Sequence, residues 1–264
     1  MRSRGMSWTT FLESAPPAEH AVQVYSELDD LAVSVGRLLD SGFRAGEPAL
    51  VIATPEHRQV FAQELERHGW DVDERQENGL LTQCDADETL AAFMDGDRPS
   101  TARFEEVVGD VLDGIARRFP ARTIRAFGEM VDLLLQRGLP DAAFAVEELW
   151  SAQLETRRFA LLCAYELDVF DLETQTSTLP QIVRTHMHPR PVADPARLAA
   201  AVHATLKDVV GADAATRIYL RVAEEVPRTA LPRAQAVLMW LSSHQPATAQ
   251  RVLQSARARY TPAA

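Results

Sequence analysis

Lysine is almost missing from this 264-residue chain: Lys207 stands alone, and the other 26 of the 27 basic residues are arginines. A phosphate loop of the GK[ST] type is thereby excluded, and Schiff-base chemistry would rest on Lys207 alone. A GC-rich genome that favours arginine codons accounts for the skew. Cysteine is scarce as well. Cys84 and Cys163 lie in separate apolar segments with no CxxC pair, which excludes a zinc ribbon or a thioredoxin-type motif. A reducing cytoplasm is the natural setting for such a chain. Long apolar runs are lacking too. Phe159–Tyr165 is among the longest, whereas a membrane-spanning helix needs about 20 apolar residues. The opening MRSRGMSWTTFLESAPPAEH has no hydrophobic stretch of signal-peptide length. The expectation is a cytoplasmic protein that does not contact a membrane.

What remains is ordinary globular material, 46% hydrophobic and 25% charged. A chain of this length can build a core without disulfide or metal staples. The net charge of −11 is unevenly placed. Residues 195–264 carry nine basic and four acidic groups, a balance of +5, which leaves −16 on residues 1–194. An acidic body disfavours nucleic acid as a partner. The basic tail suits docking on an acidic surface, its own or a partner's.

Strand-like and helix-like segments alternate after a loose lead-in over residues 1–19. HAVQVY (20–25), ALVIA (49–53), LLTQC (80–84), TIRAF (123–127) and FALLCAY (159–165) read as strands. Between them, residues 27–43 place Leu28, Leu31, Val35, Leu38 and Leu39 on one helical side, and Gly42 to Gly46 is the expected stop. Thr54-Pro55-Glu56 opens a second helix with a cap, a first-turn proline and an early acid. A short helix over 85–94 leads into a loop at 95–99. A long helix over 100–119 follows, and a helical stretch over 131–158 breaks near Gly138-Leu-Pro140. Strands separated by helices of ten or more residues imply crossovers and a mostly parallel sheet. The prediction is an α/β fold with a three-layer, mostly parallel sheet over residues 20–175, and a linker or short helix over 176–194. An all-α C-terminal bundle over 195–264 follows, its helices separated at Gly211, Pro227, Pro232 and Pro246.

Several segments together resemble one family. They are His20-x4-Tyr25, then Gly42-Phe43-x2-Gly46-Glu47 running on to Leu50-Val51-Ile52-Ala53-Thr54-Pro55-Glu56-His57, then Arg125-Ala126-Phe127-Gly128-Glu129-Met130-Val131, Leu149-Trp150, and Leu161-Leu162-Cys163-Ala164-Tyr165. In combination they look like the MEDS sensory domain, named for methanogens, methylotrophs and a dichloromethane-responsive regulator, over about residues 18–175. The resemblance implies a non-catalytic sensor of hydrocarbon derivatives or similar small molecules, found beside histidine kinases and DNA-binding regulators. It also implies a RecA-like fold that has lost its phosphate loop. Where a GK[ST] loop would follow the second strand, this chain has Pro55-Glu56-His57-Arg58. No kinase core or helix-turn-helix reader is evident, so the output of the sensor stays open.

Seven residues are candidates for the ligand site: His20, Tyr25, Arg125, Phe127, Glu129, Met130 and Tyr165. Glu129 follows a strand, where open α/β sheets bind ligands, but it equally suits a helix start. Arg125 and Glu129 fall on one side of a strand, where they would pair or jointly face a polar ligand. His20 and Tyr25 line a pocket or belong to the core. Tyr165 has a hydroxyl that must find a partner. Cys163, in an apolar strand, reads as a small hydrophobe rather than a nucleophile. Pro55 and Glu56 disfavour an anion at the helix start near His57. His186 and His188 lack a third ligand at helpful spacing, and no metal is expected. In the tail, Ile218, Leu220, Val222, Val237, Leu238, Trp240 and Leu241 form an apolar stripe, either bundle core or a surface for a partner.

The reading is a non-catalytic sensory protein that binds an unknown small molecule in its α/β domain and signals to a protein partner, with transcription regulation as the context. No cofactor can be named. The alternative is a ligand-free interaction or oligomerisation module, with self-association through the tail stripe. A residual nucleotide hydrolase is the third reading, and the missing phosphate-loop lysine argues against it.

Overall fold

A computed structural model describes residues 6–226 and 231–261, and the chain divides into two compact units, 1–166 and 167–264. In chain order the first unit holds α1 (Trp8–Ser14), β1 (His20–Tyr25), α2 (Leu28–Arg44), β2 (Ala49–Ala53), α3 (Pro55–Arg67), α4 (Val72–Glu77), β3 (Leu81–Asp85) and α5 (Ala86–Phe93). There follow a ribbon of β4 (Met94–Asp95) and β5 (Arg98–Pro99), then α6 (Thr101–Phe104), a π-helical turn (Glu105–Gly109), α7 (Asp110–Arg118), β6 (Ile124–Gly128), α8 (Met130–Gln136), α9 (Pro140–Thr156) and β7 (Phe159–Glu166). In this unit the sheet runs β3-β2-β6-β7-β1, with every pair parallel. The predicted three-layer α/β architecture is thus observed, and an all-α region follows it. No helix of the described residues is long and apolar enough to cross a membrane.

Strand alternation builds the layers. Val51 and Ala53 of β2, Phe127 of β6 and Ala160, Leu162 and Ala164 of β7 face a core shared with Phe11 and Leu12 of α1, Leu31, Val35 and Leu38 of α2, and Phe61 and Leu65 of α3. The opposite face carries an aromatic run. Phe93, Phe104, Trp150 and Phe159 follow one another with ring centroids 5.0, 5.4 and 6.0 Å apart. All five positions of β2 are buried, as a central parallel strand covered on both faces requires.

Two local expectations, the loose lead-in and the loop at 95–99, are corrected. The lead-in is not loose over residues 8–14: Ser7 caps α1 by accepting from the Thr10 N–H, and Phe11 and Leu12 are buried. Residues 1–5 of that lead-in fall outside the described residues. The Gly42–Gly46 segment ends α2 as expected, although Gly42 itself lies inside the helix, where a Cβ would come within 2.7 Å of Arg125 Cγ. The helix ends at Arg44, and Gly46, at φ 66°, makes the turn. The loop at 95–99 is the β4–β5 ribbon. The long helix expected over 100–119 is observed over 101–118, with a π-helical turn inside it at Glu105–Gly109.

The second unit contains a π-helical turn (Thr174–Thr178), α10 (Leu179–Thr185), β8 (His188–Arg190), α11 (Pro195–Val210), α12 (Ala212–Glu225), α13 (Arg233–His244) and α14 (Pro246–Tyr260). The segment read as a linker or short helix thus holds the short helix α10. Gln175 is fully buried: its amide donates to the Val169 carbonyl and its oxygen accepts from Gln235 Nε2 at 2.9 Å. Val237, Leu238 and Leu241 are buried with Leu198, Val202, Val222, Val252 and Leu253. Trp240 is half-buried, stacks on His244 and donates to Glu225, while Leu220 is exposed. Pro227, an expected helix separator, and Arg228 of the basic tail lie outside the described residues.

Candidate functional site

The sheet order creates one special crevice. From β2 the chain leads through α3 to β3 on one side; from β6 it leads through α8 and α9 to β7 on the other. The carboxyl ends of β2 and β6 therefore flank a topological switch point, the place where open α/β sheets bind ligands. Their register pairs Ile52 with Gly128, so the residues that follow each strand come together.

Glu129 is the first residue after β6 and is 1% exposed. Its Oε1 accepts from the Thr54 N–H at 2.6 Å, and its Oε2 accepts from His57 Nδ1 at 2.5 Å. The Thr54 amide opens α3, so the carboxylate occupies the anion position at a helix N-terminus. It supplies from within the chain the negative charge that a helix N-terminus favours. Burial opposes the charge on His57, but the hydrogen bond and charge of Glu129, aided by Asp132 and Glu56, raise its pKa above the ordinary histidine value.

Behind this pair lies a second acid. Asp132, in the first turn of α8, accepts from the Glu166 N–H at 3.0 Å, from Gln136 Nε2 at 3.0 Å and from the Tyr25 hydroxyl at 3.4 Å. Burial, with the charges of Glu129 and Glu166 added, pushes its carboxyl up to about 7, against the pull of the Glu166 amide. Burial and the same acids raise the Tyr25 phenol well above its ordinary value. Tyr25 meets the His57 ring edge-on at 6.3 Å, and His57 leads on to Phe61 and Phe127. The arrangement is a small polar centre with an aromatic wall. The His57 side chain, 19% exposed, is its solvent-facing member.

Replacing Glu129 with glutamine should therefore lower the pKa of His57, leaving only Asp132 and Glu56 to oppose burial. In the wild type the raised value means that stabilisation from this pair is fully present below pH 6.5, the ordinary histidine value, and is lost as pH rises through the folded value. The variant should lack that loss and be less stable at low pH by about 2 kcal/mol, a typical charge-assisted hydrogen bond. Histidine NMR titration with urea unfolding at several pH values checks both.

A separate buried cluster lies on the other face of the sheet. His20 opens β1, Cys163 is central in β7, and Glu147 projects from α9; His20 is 2% exposed and the other two are fully buried. His20 Nε2 is 3.3 Å from Cys163 Sγ and 3.4 Å from Glu147 Oε2, and the thiol reaches the same Oε2 at 3.9 Å. The Tyr165 hydroxyl donates to Glu147 Oε1 at 2.6 Å. Burial and the Glu147 charge raise both the thiol and the phenol well above their ordinary values.

The seven candidates thus separate. Glu129 and Tyr25 stand at the switch point, with Phe127 in its wall and Met130 fully buried at the start of α8. His20 and Tyr165 belong to the cluster across the sheet. Arg125 faces Glu47, which accepts from its Nε at 2.7 Å, and donates to the Leu12 carbonyl at 3.2 Å and to Ser41 at 3.3 Å. The expected Arg125–Glu129 pairing is corrected. Four strand residues span about 13 Å, so the two share a side of the sheet but sit at opposite ends of β6.

Three participants were not among the candidates: His57, Asp132 and Glu147. Asp132 carried a signal, one helical turn from Glu129. Glu147 carried a weaker one, an acid at helical spacing from Ala143, Trp150 and Leu154.

No curated protein matches the chain. The family model for MEDS, the methanogen/methylotroph, DcmR sensory domain, matches residues 19–187, well over half of the sequence. The match spans the β1–β7 sheet with both buried polar clusters, and the chain belongs to the MEDS sensory-domain family.

Proposed function

We propose that this protein binds a small organic molecule at the β2–β6 switch point and passes the event to a signalling partner by protein contacts, without chemical turnover. The family supplies the sensory role. The observation that carries the ligand site is the Glu129–His57 pair. It is a charged pair with an almost fully buried carboxylate at the crevice where parallel sheets take ligands, bordered by Tyr25, Phe61 and Phe127.

The chemistry of the centre suggests the ligand's shape. A molecule with one hydrogen-bonding group and a short apolar body would place the polar end on His57 and Glu129 and the rest on the aromatic wall. The same geometry disfavours a nucleotide. Glu129 already fills the anion position at the start of α3, Pro55 contributes no N–H, and Glu56 adds repulsion. Signalling follows if the ligand prefers one of two arrangements of the switch-point loops, since a ligand of equal affinity for both shifts nothing. A protein partner suits the acidic body better than nucleic acid does.

The test is a thermal-shift screen of short-chain alcohols, amines, carboxylates and halogenated hydrocarbons on the full chain. A compound that raises the melting temperature of the wild type and of Cys84→Ser, but not of Glu129→Gln or His57→Phe, supports the site. Compounds that protect all four proteins equally would place binding elsewhere.

A further inference from the structure

We propose that His20, Glu147 and Cys163 form a binding site for a borderline divalent transition metal of the zinc class, separate from the switch-point centre. This goes beyond the sensory reading and does not depend on it.

The argument rests on donor type and geometry. The three side chains offer one imidazole nitrogen, one carboxylate oxygen and one thiol sulfur, all within 4.8 Å of one another. Zinc takes its ligands at about 2.3 Å for sulfur and about 2.0–2.2 Å for nitrogen and oxygen, so adjacent donors in a tetrahedral site stand about 3.4–3.6 Å apart. The observed edges are 3.3 Å for His20–Cys163, 3.4 Å for His20–Glu147 and 3.9 Å for Cys163–Glu147.

The supports are rigid. Cys163 and His20 come from the paired strands β7 and β1, whose register sets His20 against Leu161, two residues from the thiol. Glu147 comes from α9, on the face that carries the buried Trp150. Its orientation is held by Tyr165, whose hydroxyl bonds Oε1 at 2.6 Å and leaves Oε2 toward the other two donors. Outer hydrogen bonds of this kind orient metal ligands. The mixed soft and borderline donor set excludes magnesium and calcium as the preferred ion, since both want oxygen. The spacing of ligands along the chain, 127 residues from His20 to Glu147 and 16 more to Cys163, hides the site from motif reading.

The experiment uses the untagged full chain, expressed with added zinc and purified without chelator. Elemental analysis should find about one zinc per chain. Replacement by cobalt(II) under anaerobic conditions should give a thiolate-to-cobalt charge-transfer band. That band should survive Cys84→Ser and vanish in Cys163→Ser. Tyr165→Phe, which keeps the ring and all three donors, should fold and yet bind zinc about 10- to 100-fold more weakly, the usual cost of losing an outer hydrogen bond to a ligand. A folded wild type that retains no zinc and shows no cobalt–thiolate band would overturn the proposal. So would a band lost in Cys84→Ser but kept in Cys163→Ser.

Discussion

Asp132→Asn is expected to flatten most of the fall in stability that the wild-type domain shows as pH rises from mildly acidic to neutral. Burial holds the Asp132 carboxyl up at about 7, against an ordinary value of 3.8. A group raised on folding is stabilising while it stays protonated. Its contribution is fully present below 3.8 and is lost as pH climbs to about 7. At ~1.4 kcal/mol per pH unit, that window corresponds to roughly 4 kcal/mol between the two ends. Asparagine keeps the oxygen that accepts from the Glu166 amide, and its NH2 group donates to the Tyr25 hydroxyl oxygen, at the cost of the bond that Oδ2 accepts from Gln136 Nε2. It cannot acquire the charge. Urea unfolding followed by tryptophan fluorescence, in a Trp240→Phe background so that only the first unit reports, should show a sloping profile for Asp132 and a nearly level one for asparagine. The remaining slope belongs to His57, which shifts in the same direction. Identical profiles would mean that Asp132 is ionised throughout.

Arg125→Met should cost about 3 kcal/mol and leave the switch-point chemistry intact. The guanidinium is 2% exposed and serves Glu47, Ser41 and the Leu12 and Glu13 carbonyls together, tying α1 and α2 to the amino end of β6. Removing one partner of a buried pair usually costs 3–5 kcal/mol. The Glu47 side chain is 19% exposed and can recover some hydration, which places the loss at the lower end. Methionine fills the stem of the arginine beneath Gly42, so packing changes little. Denaturation should report the loss, while the His57 titration should be unchanged because His57 lies at the other end of the sheet. A shifted His57 titration at full stability would show Arg125 acting on the crevice.

These effects also mark how far the sequence could be read. Four strands, β1, β2, β6 and β7, were legible as largely apolar runs that a parallel sheet buries on both faces, whereas in β3 only Leu81 is buried. Strand order was not legible, since nothing local says that β6 inserts beside β2. Glu129 was visible from its place after a strand. Its partner was not: His57 is 72 residues away and meets it only through the Ile52–Gly128 register. Arg125 was assigned toward Glu129 because even spacing shares a face, yet distance along the strand separates them. Glu147 was hidden by Glu148, because two adjacent acids on a helix do not reveal which one points inward. The Gly42–Gly46 helix stop was legible, but not that glycine at 42 makes room for a side chain from the sheet.

The central claim is that the Glu129–His57 centre holds a small molecule. Native mass spectrometry of the untagged protein, beside spectra under denaturing conditions, tests it most directly. The account predicts a reproducible organic adduct on the folded wild type, in addition to any metal. The adduct should be absent after denaturation, lost in Glu129→Gln and retained in Arg125→Met. An adduct that persists undiminished in both Glu129→Gln and His57→Phe would contradict the account and move the ligand away from the switch point.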